Sequence, residues 1–255
     1  NPVALIEFNA KEGPFANPAV RRAISLAIDR QFMIDNIFFG YGKPATSALS
    51  TNFKPTGLYA SMPNYPARGD IASAKALLDS AGIKPDANGV RIRAILDLIP
   101  YGEDWRRAGE YLKQVLGDIG IKLELRYEDV PTWLKRIYHN YDFVMNVNYF
   151  YQLPDPVLGV HRHYGTDQIR KGTHFVNSSR YSNSELDELL ASGATEANAQ
   201  KRTQIYKKIQ EILARDMPVV NLFELQFLTV YNTKLKGAYN SALGAYASFS
   251  EAYLD

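Results

Sequence analysis

The residues best able to do chemistry gather in one stretch, Tyr141-Asp-Phe-Val-Met-Asn-Val-Asn-Tyr-Phe-Tyr-Gln-Leu-Pro-Asp-Pro156. It opens as an apolar run of Phe143, Val144, Met145 and Val147. It then turns to amides and aromatics, with Asn146, Asn148, Tyr149, Tyr151 and Gln152 in close order and Asp155 just beyond. Pro154 and Pro156 bar a return to a β-ladder. Amides fix polar ligand atoms and aromatic rings stack on flat apolar ones, so a strand that ends in this mixture is a candidate ligand-binding lip. The competing reading is a core strand followed by a solvated loop whose aromatics only pack.

Other chemistry is thinner. His161-x-His163 sets two imidazoles on one face if that segment is a strand, but a zinc site takes about four ligands and a second shell. Only Asp155 and Asp167 lie near in sequence, so polar loop histidines are the plainer reading and a metal-chelate carrier is the alternative within binding proteins. Glu110, Glu124 and Glu128 fall on wet faces. Asp155 is the lip's one carboxylate, and a glycosidase needs a second facing it, so a hydrolase reading hangs on Asp155 alone. Scattered glycines draw neither a phosphate-binding loop nor a dinucleotide fingerprint, and no nucleophile elbow is present. The residues therefore point to binding without catalysis, cofactor or metal. The chain has no cysteine, which excludes disulfides and thiolate chemistry. A net charge of +2 without a Lys/Arg run argues against nucleic acid. Arg21-Arg22 and Arg106-Arg107 read as solvated helix surface. No apolar run reaches the about 18 residues that cross a bilayer. Asn1-Pro2, with no methionine or signal peptide ahead of it, reads as an interior cut.

These residues need elements to position them. Val3 to Asn9 reads as a strand. Asn17-Pro18 starts a helix with Val20, Ala23, Ile24, Ala27 and Ile28 on its buried face. Asp29 caps a second helix that stops near Gly40. Ala45 to Arg68 reads as a long ordered loop anchored by Tyr59 and Tyr65, a length that is uncommon unless the loop covers or binds something. Ala72 to Ala81 is a short helix. Then come a strand from Arg91 to Leu98, a helix capped by Asp104 and closed by Gly120, an alternating strand from Ile121 to Glu128, a helix from Thr132 to His139, and the lip strand. That order implies right-handed crossovers between parallel neighbours. Ligands in open α/β sheets sit beyond the carboxyl ends of the strands, here at Asn148-Tyr149. Val157 to Tyr164 reads as a short helix and Gly165 to Ser179 as polar loop. Ser184 starts a helix through Leu190, and Asn198 to Arg215 is a long helix stopped by Pro218. Val219 to Leu225 and Phe227 to Tyr231 read as two closing strands.

Five phrases, in order, carry a resemblance. They are Asn17-Pro-Ala-Val-Arg-Arg-Ala-Ile-Ser-Leu-Ala-Ile-Asp-Arg30, Gly40-Tyr-Gly-Lys-Pro-Ala45, Ala74-Lys-Ala-Leu-Leu-Asp-Ser-Ala-Gly82, Tyr181-Ser-Asn-Ser-Glu-Leu-Asp187 and the Arg202-to-Pro218 segment. Together they resemble the extracytoplasmic solute-binding proteins, family 5, the peptide/nickel/opine binding proteins of ATP-driven importers. The resemblance implies an α/β fold, a periplasmic-binding-protein-like lobe with a mixed sheet flanked by helices. It implies that residues 1–255 are the carboxyl-terminal lobe of a two-lobed clamp, with Leu5 to Asn9 as a hinge crossing and Ser248 to Asp255 heading back to an amino-terminal lobe. The implied partners are a small-molecule solute and the membrane permease of an importer, outside the cytoplasm, with the protein acting as a monomer. Aligned on Asp155-Pro156, the carboxylate that holds a peptide's amino group in peptide-binding members is Gln152 here. The aromatic platform is kept as Tyr149, and the arginine of some oligopeptide binders is Asn146. An amide lacks the charge-assisted bond of a carboxylate, so this pattern favours a polar or neutral ligand, or a peptide held differently.

Overall fold

The computed structural model describes residues 2–238 and 248–255, so Asn1, where the chain reads as cut, lies outside the described residues. The chain divides into two compact units, Asn1–Leu225 and Gln226–Asp255. The first unit contains six strands: β1 (Pro2–Phe8), β2 (Gly42–Pro44), β3 (Ile92–Leu98), β4 (Ile121–Arg126), β5 (Met145–Tyr151) and β6 (Val219–Leu225). Its helices are α1 (Pro18–Ala27), α2 (Arg30–Asn36), α3 (Ile71–Ser80), α4 (Glu103–Gly117), α5 (Val130–Leu134), α6 (His161–Tyr164), α7 (Ser184–Thr195) and α8 (Ala199–Asp216). The strands form one mixed sheet in the order β2-β6-β1-β5-β3-β4. β3 runs parallel to both β4 and β5, as the crossover pattern requires. β1 runs antiparallel between β5 and β6 and is buried along its whole length.

The two sheet faces differ in chemistry because side chains alternate along a strand. Ala4, Ile6 and Phe8 of β1 join Met145 and Val147 of β5 and Val220 and Leu222 of β6 in the larger apolar core. Leu5, Phe150 and Val219 belong to a second core shared with α7 and α8. That second face also buries polar groups, among them Glu7, Asn146, Asn148 and Asn221.

Most helix starts follow the capping signals. Asn17 accepts from the Ala19 amide, Asp29 from Phe32, Asp70 from Ser73, Asp129 from Thr132 and Asn198 from Lys201. Two starts differ by a residue or two. Asn183 rather than Ser184 caps α7. Gly102 precedes α4, and Asp104 sits in its first turn, where a carboxylate still favours the positive helix end. The expected helix over 132–139 splits into α5 and a π-helical turn, Lys135–Asn140, with Trp133, Ile137 and Tyr138 buried as expected. The 157–164 segment likewise splits into a 3₁₀ turn (Pro156–Leu158) and α6.

Two expectations are corrected. Phe227 to Tyr231 forms no strand; β6 is already flanked by β1 and β2, so it offers no free edge to a following hairpin strand. Arg21 is not solvated surface but buried, donating from Nε to the Met217 carbonyl at 2.8 Å and from Nη1 to Ala16 at 2.9 Å. Among the described residues, the second unit carries one short antiparallel pair, β7 (Leu235–Lys236) with β8 (Tyr253–Leu254). No helix among the described residues is long and apolar enough to cross a membrane.

Candidate functional site

The lip strand runs two residues further than its sequence suggests, ending at Tyr151. Its alternation separates the candidate residues into two sets. Tyr149 follows the parity of Met145 and Val147, whereas Asn146 and Asn148 share the parity of Phe150 and point to the other face.

Asn146 and Asn148 are fully buried. Asn146 accepts from the Trp133 indole N–H at 2.9 Å and donates to Glu7 Oε2 at 2.8 Å. Asn148 donates to Glu7 Oε2 at 3.1 Å and to the Tyr138 hydroxyl at 2.9 Å, and accepts from the Tyr149 amide at 2.8 Å. The Ser178 hydroxyl donates to the other Glu7 oxygen at 2.6 Å. Burial pushes the Glu7 carboxyl up to about 7, outweighing these hydrogen bonds to its charged form. The two asparagines, expected as ligand contacts, are thus committed to a buried network behind the lip.

Gln152 is likewise hydrogen-bonded within the fold. It is 4% exposed, accepts from the Ser50 amide at 2.7 Å and donates to the Ala48 carbonyl at 2.8 Å. The amide holds the 45–68 loop against the strand end. Asp155 caps the 3₁₀ turn through the Val157 amide at 2.9 Å and pairs with Arg202 Nη2 at 2.8 Å, so its charge is met within the fold.

The two tyrosines remain at the surface of the lip. Tyr149 is half-buried and lies nearly parallel to Trp105 of α4, ring centroids 5.7 Å apart at 19°. Tyr101 and Tyr151 flank it at 6.0 and 5.9 Å. With Phe150, Arg162 and Phe175 these tyrosines line a concave pocket of about 140 Å³. Trp105 and Tyr101 follow β3, and its parallel pairing with β5 brings them to the same end of the sheet. Arg162 and Phe175 come from the segments after the lip, and nothing in their local sequence marks them. Gly159 permits that return: a Cβ there would stand 2.9 Å from Gln152 Cα and 3.1 Å from the Tyr151 carbonyl oxygen.

A wider, more open concavity of about 420 Å³ lies beyond β3 and β4, lined by Leu98, Ile99, Arg106, Tyr127 and Glu128 among others. Its charged groups are already engaged: Arg106 stacks over Tyr127 at 4.6 Å and Glu128 is paired with Arg136. The smaller pocket has the stacked aromatic floor that a solute needs, and is the better candidate.

The histidines do not assemble as a pair of ligands at 161 and 163. Both sit on α6, not on a strand. His161 contacts Asp167 at 3.0 Å, while His163 is buried against the Phe150 ring at 3.8 Å and burial holds its imidazole well below the usual range. His139 and His174 meet instead, Nε2 to Nε2 at 3.2 Å. Among the described residues no three His, Cys, Asp or Glu side chains gather to hold a metal ion.

Residues 2–170 match the family described as bacterial extracellular solute-binding proteins, family 5 Middle. The glutathione-binding protein GsiB of Salmonella paratyphi A is 26% identical over 236 residues, covering 91% of this chain and 44% of that protein. The di/tripeptide-binding protein 3 of Pseudomonas aeruginosa is 24% identical over 242 residues, covering 95% and 43%. The structure of the ABC transporter substrate binding protein CtaP from Listeria monocytogenes superposes with a TM-score of 0.74 at 27% identity, covering 88% of this chain and 44% of that one. The oligopeptide-binding protein AppA from Bacillus subtilis, in complex with a nonapeptide, superposes with a TM-score of 0.81 at 19% identity, covering 100% and 51%. At that identity the likeness speaks for the fold alone. The chain spans about half the length of the relatives it matches.

Proposed function

The chain belongs to the bacterial extracellular solute-binding proteins, family 5, and from that premise we propose that it is the carboxyl-terminal lobe of a two-lobed clamp. The clamp captures a peptide-like or other polar small molecule outside the cytoplasm and delivers it to the permease of an ATP-driven importer. The family consists of binding proteins, and the reading needs no catalytic step. Residues 1–255 supply one wall of the cleft and the preceding part of the longer protein supplies the other.

The observation that carries this reading is the aromatic floor at the carboxyl end of β5. Tyr149 is braced from behind by Trp105 at 5.7 Å and edged by Tyr101 and Tyr151. A ring held in this way has little rotamer freedom left to lose when a solute stacks on it, which favours a binding hot spot. In this reading Tyr149 and Tyr151 touch the solute, while Asn146, Asn148, Gln152 and Asp155 hold the lip in shape.

The test begins with native mass spectrometry of gently purified protein to identify the co-purifying solute. That solute is then titrated against the parent and Tyr149→Ala. The substitution is expected to weaken binding by about 1–3 kcal/mol with the circular dichroism spectrum unchanged. Unchanged affinity would remove Tyr149 from the site.

A further inference from the structure

The charge at the aromatic pocket is one-sided. Arg162 of α6 lines it and is half-buried. Its Nε donates to His163 Nε2 at 3.4 Å, a geometry that uses the neutral imidazole as acceptor. Among the described residues no carboxylate forms an ion pair with this guanidinium, and burial holds it below its usual range. Other arginines are spent within the fold: Arg202 on Asp155, Arg136 on Glu128, and Arg180 on Glu12. The acidic groups near the lip are spent as well. Asp155 is paired, and Glu7 is enclosed by hydrogen bonds from Asn146, Asn148 and Ser178.

We propose that Arg162 is the anion-recognising residue of this pocket, and that the solute carries a carboxylate which pairs with its guanidinium while a flat or apolar part lies on Tyr149. The assignment rests on the reading of the pocket as the solute site. A guanidinium keeps its charge at every accessible pH and offers a planar fork that matches a carboxylate. Its Nε is anchored on a buried imidazole, so part of its ordering has been met before the solute arrives. A solute bearing only an ammonium finds no unpaired carboxylate among the residues that line this pocket.

The probes are a matched pair, N-acetylphenylalanine and its carboxamide, titrated separately against the 255-residue chain and followed by NMR at the Tyr149 ring. The acid is expected to shift Tyr149 and to bind at least about 10-fold more tightly than the amide, the scale of a hydrogen bond to a charged group. Arg162→Gln is expected to lower the acid's affinity to that of the amide, and Arg162→Lys to restore only part, because an ammonium lacks the fork. Equal affinity of acid and amide for the parent chain, with Tyr149 still shifting, overturns the arginine assignment and leaves the pocket reading standing. Failure of both probes to shift Tyr149 overturns the pocket reading and this inference with it. If Arg162→Gln does not fold, the acid-to-amide ratio on the parent chain decides alone.

Discussion

Glu7 is a carboxyl near the end of the buried strand β1, and among the described residues no cation pairs with it. Its oxygens receive hydrogen bonds from Asn146, Asn148 and Ser178, which tie β1, β5 and the polar loop together behind the lip. Burial pushes its titration from 4.5 to about 7. The folded state therefore holds a proton that the unfolded chain has lost between those values. Its contribution to stability is full below pH 4.5 and is lost as pH rises through about 7. The expected loss over that window reaches about 3 kcal/mol at most. In Glu7→Gln the amide oxygen can face the two asparagines while its N–H donates to the Ser178 hydroxyl. Urea unfolding of parent and variant between pH 4.5 and 8 checks this. The parent is expected to lose stability with rising pH and the variant to show a flatter profile. Parallel profiles would mean that Glu7 titrates normally.

The 45–68 loop behaves as a part of the fold, because side chains replace the ladder it lacks. Gln210 of α8 is fully buried and makes three bonds to hold it, accepting from Ser47 Oγ and the Ala60 amide and donating to the Leu58 carbonyl, all at 2.9 Å, with a fourth to the Tyr206 carbonyl of its own helix at 2.8 Å. Gln152 adds Ala48 and Ser50. Arg30, also fully buried, adds the Pro66 carbonyl. Removing a buried partner strands the groups it satisfied, so Gln210→Ala is expected to cost about 2–4 kcal/mol. Hydrogen exchange should speed up at Ala60 before it does in β1 or β5. Uniform acceleration across the sheet would show that the loop and the sheet open as one unit. The phrases that resemble the family thus land largely on framework: Gln210 fastens the loop, Arg202 neutralises Asp155, and Arg21 seals the end of α8 through Met217.

At the scale of the whole molecule, the proposed solute pocket, about 140 Å³, is too small to enclose a peptide-sized solute. In the proposed clamp a second surface closes over it, and the chain spans about half the length of its relatives. The 255-residue chain is expected to fold cooperatively on its two cores and to bind the native solute at least about 100-fold more weakly than a protein of the relatives' full length that contains it, a difference of about 2.7 kcal/mol. Calorimetric titrations of both forms check this. Equal affinities would locate the whole site in these residues.

The sequence by itself determined the elements, because apolar spacing, capping side chains and proline stops act within a few residues of one another. It marked the strand–helix order from Arg91 to Tyr151 and hence the parallel β4-β3-β5 core. It pointed to Tyr149 at a strand's carboxyl end. Strand alternation also held the signal that sets Tyr149 apart from Asn146 and Asn148, since residues of opposite parity face opposite ways. Only the tertiary structure decided what each polar side chain meets. Glu7 lies 139 positions from Asn146 and 171 from Ser178, and Gln152 lies 102 from Ser50. Partners so distant leave no local pattern, and an amide that binds a solute reads the same in sequence as one that fastens a loop. For the same reason Arg162 carries no mark of its own. Its place depends on the close return of the chain at Gly159 and on the carboxylates that other arginines have already taken.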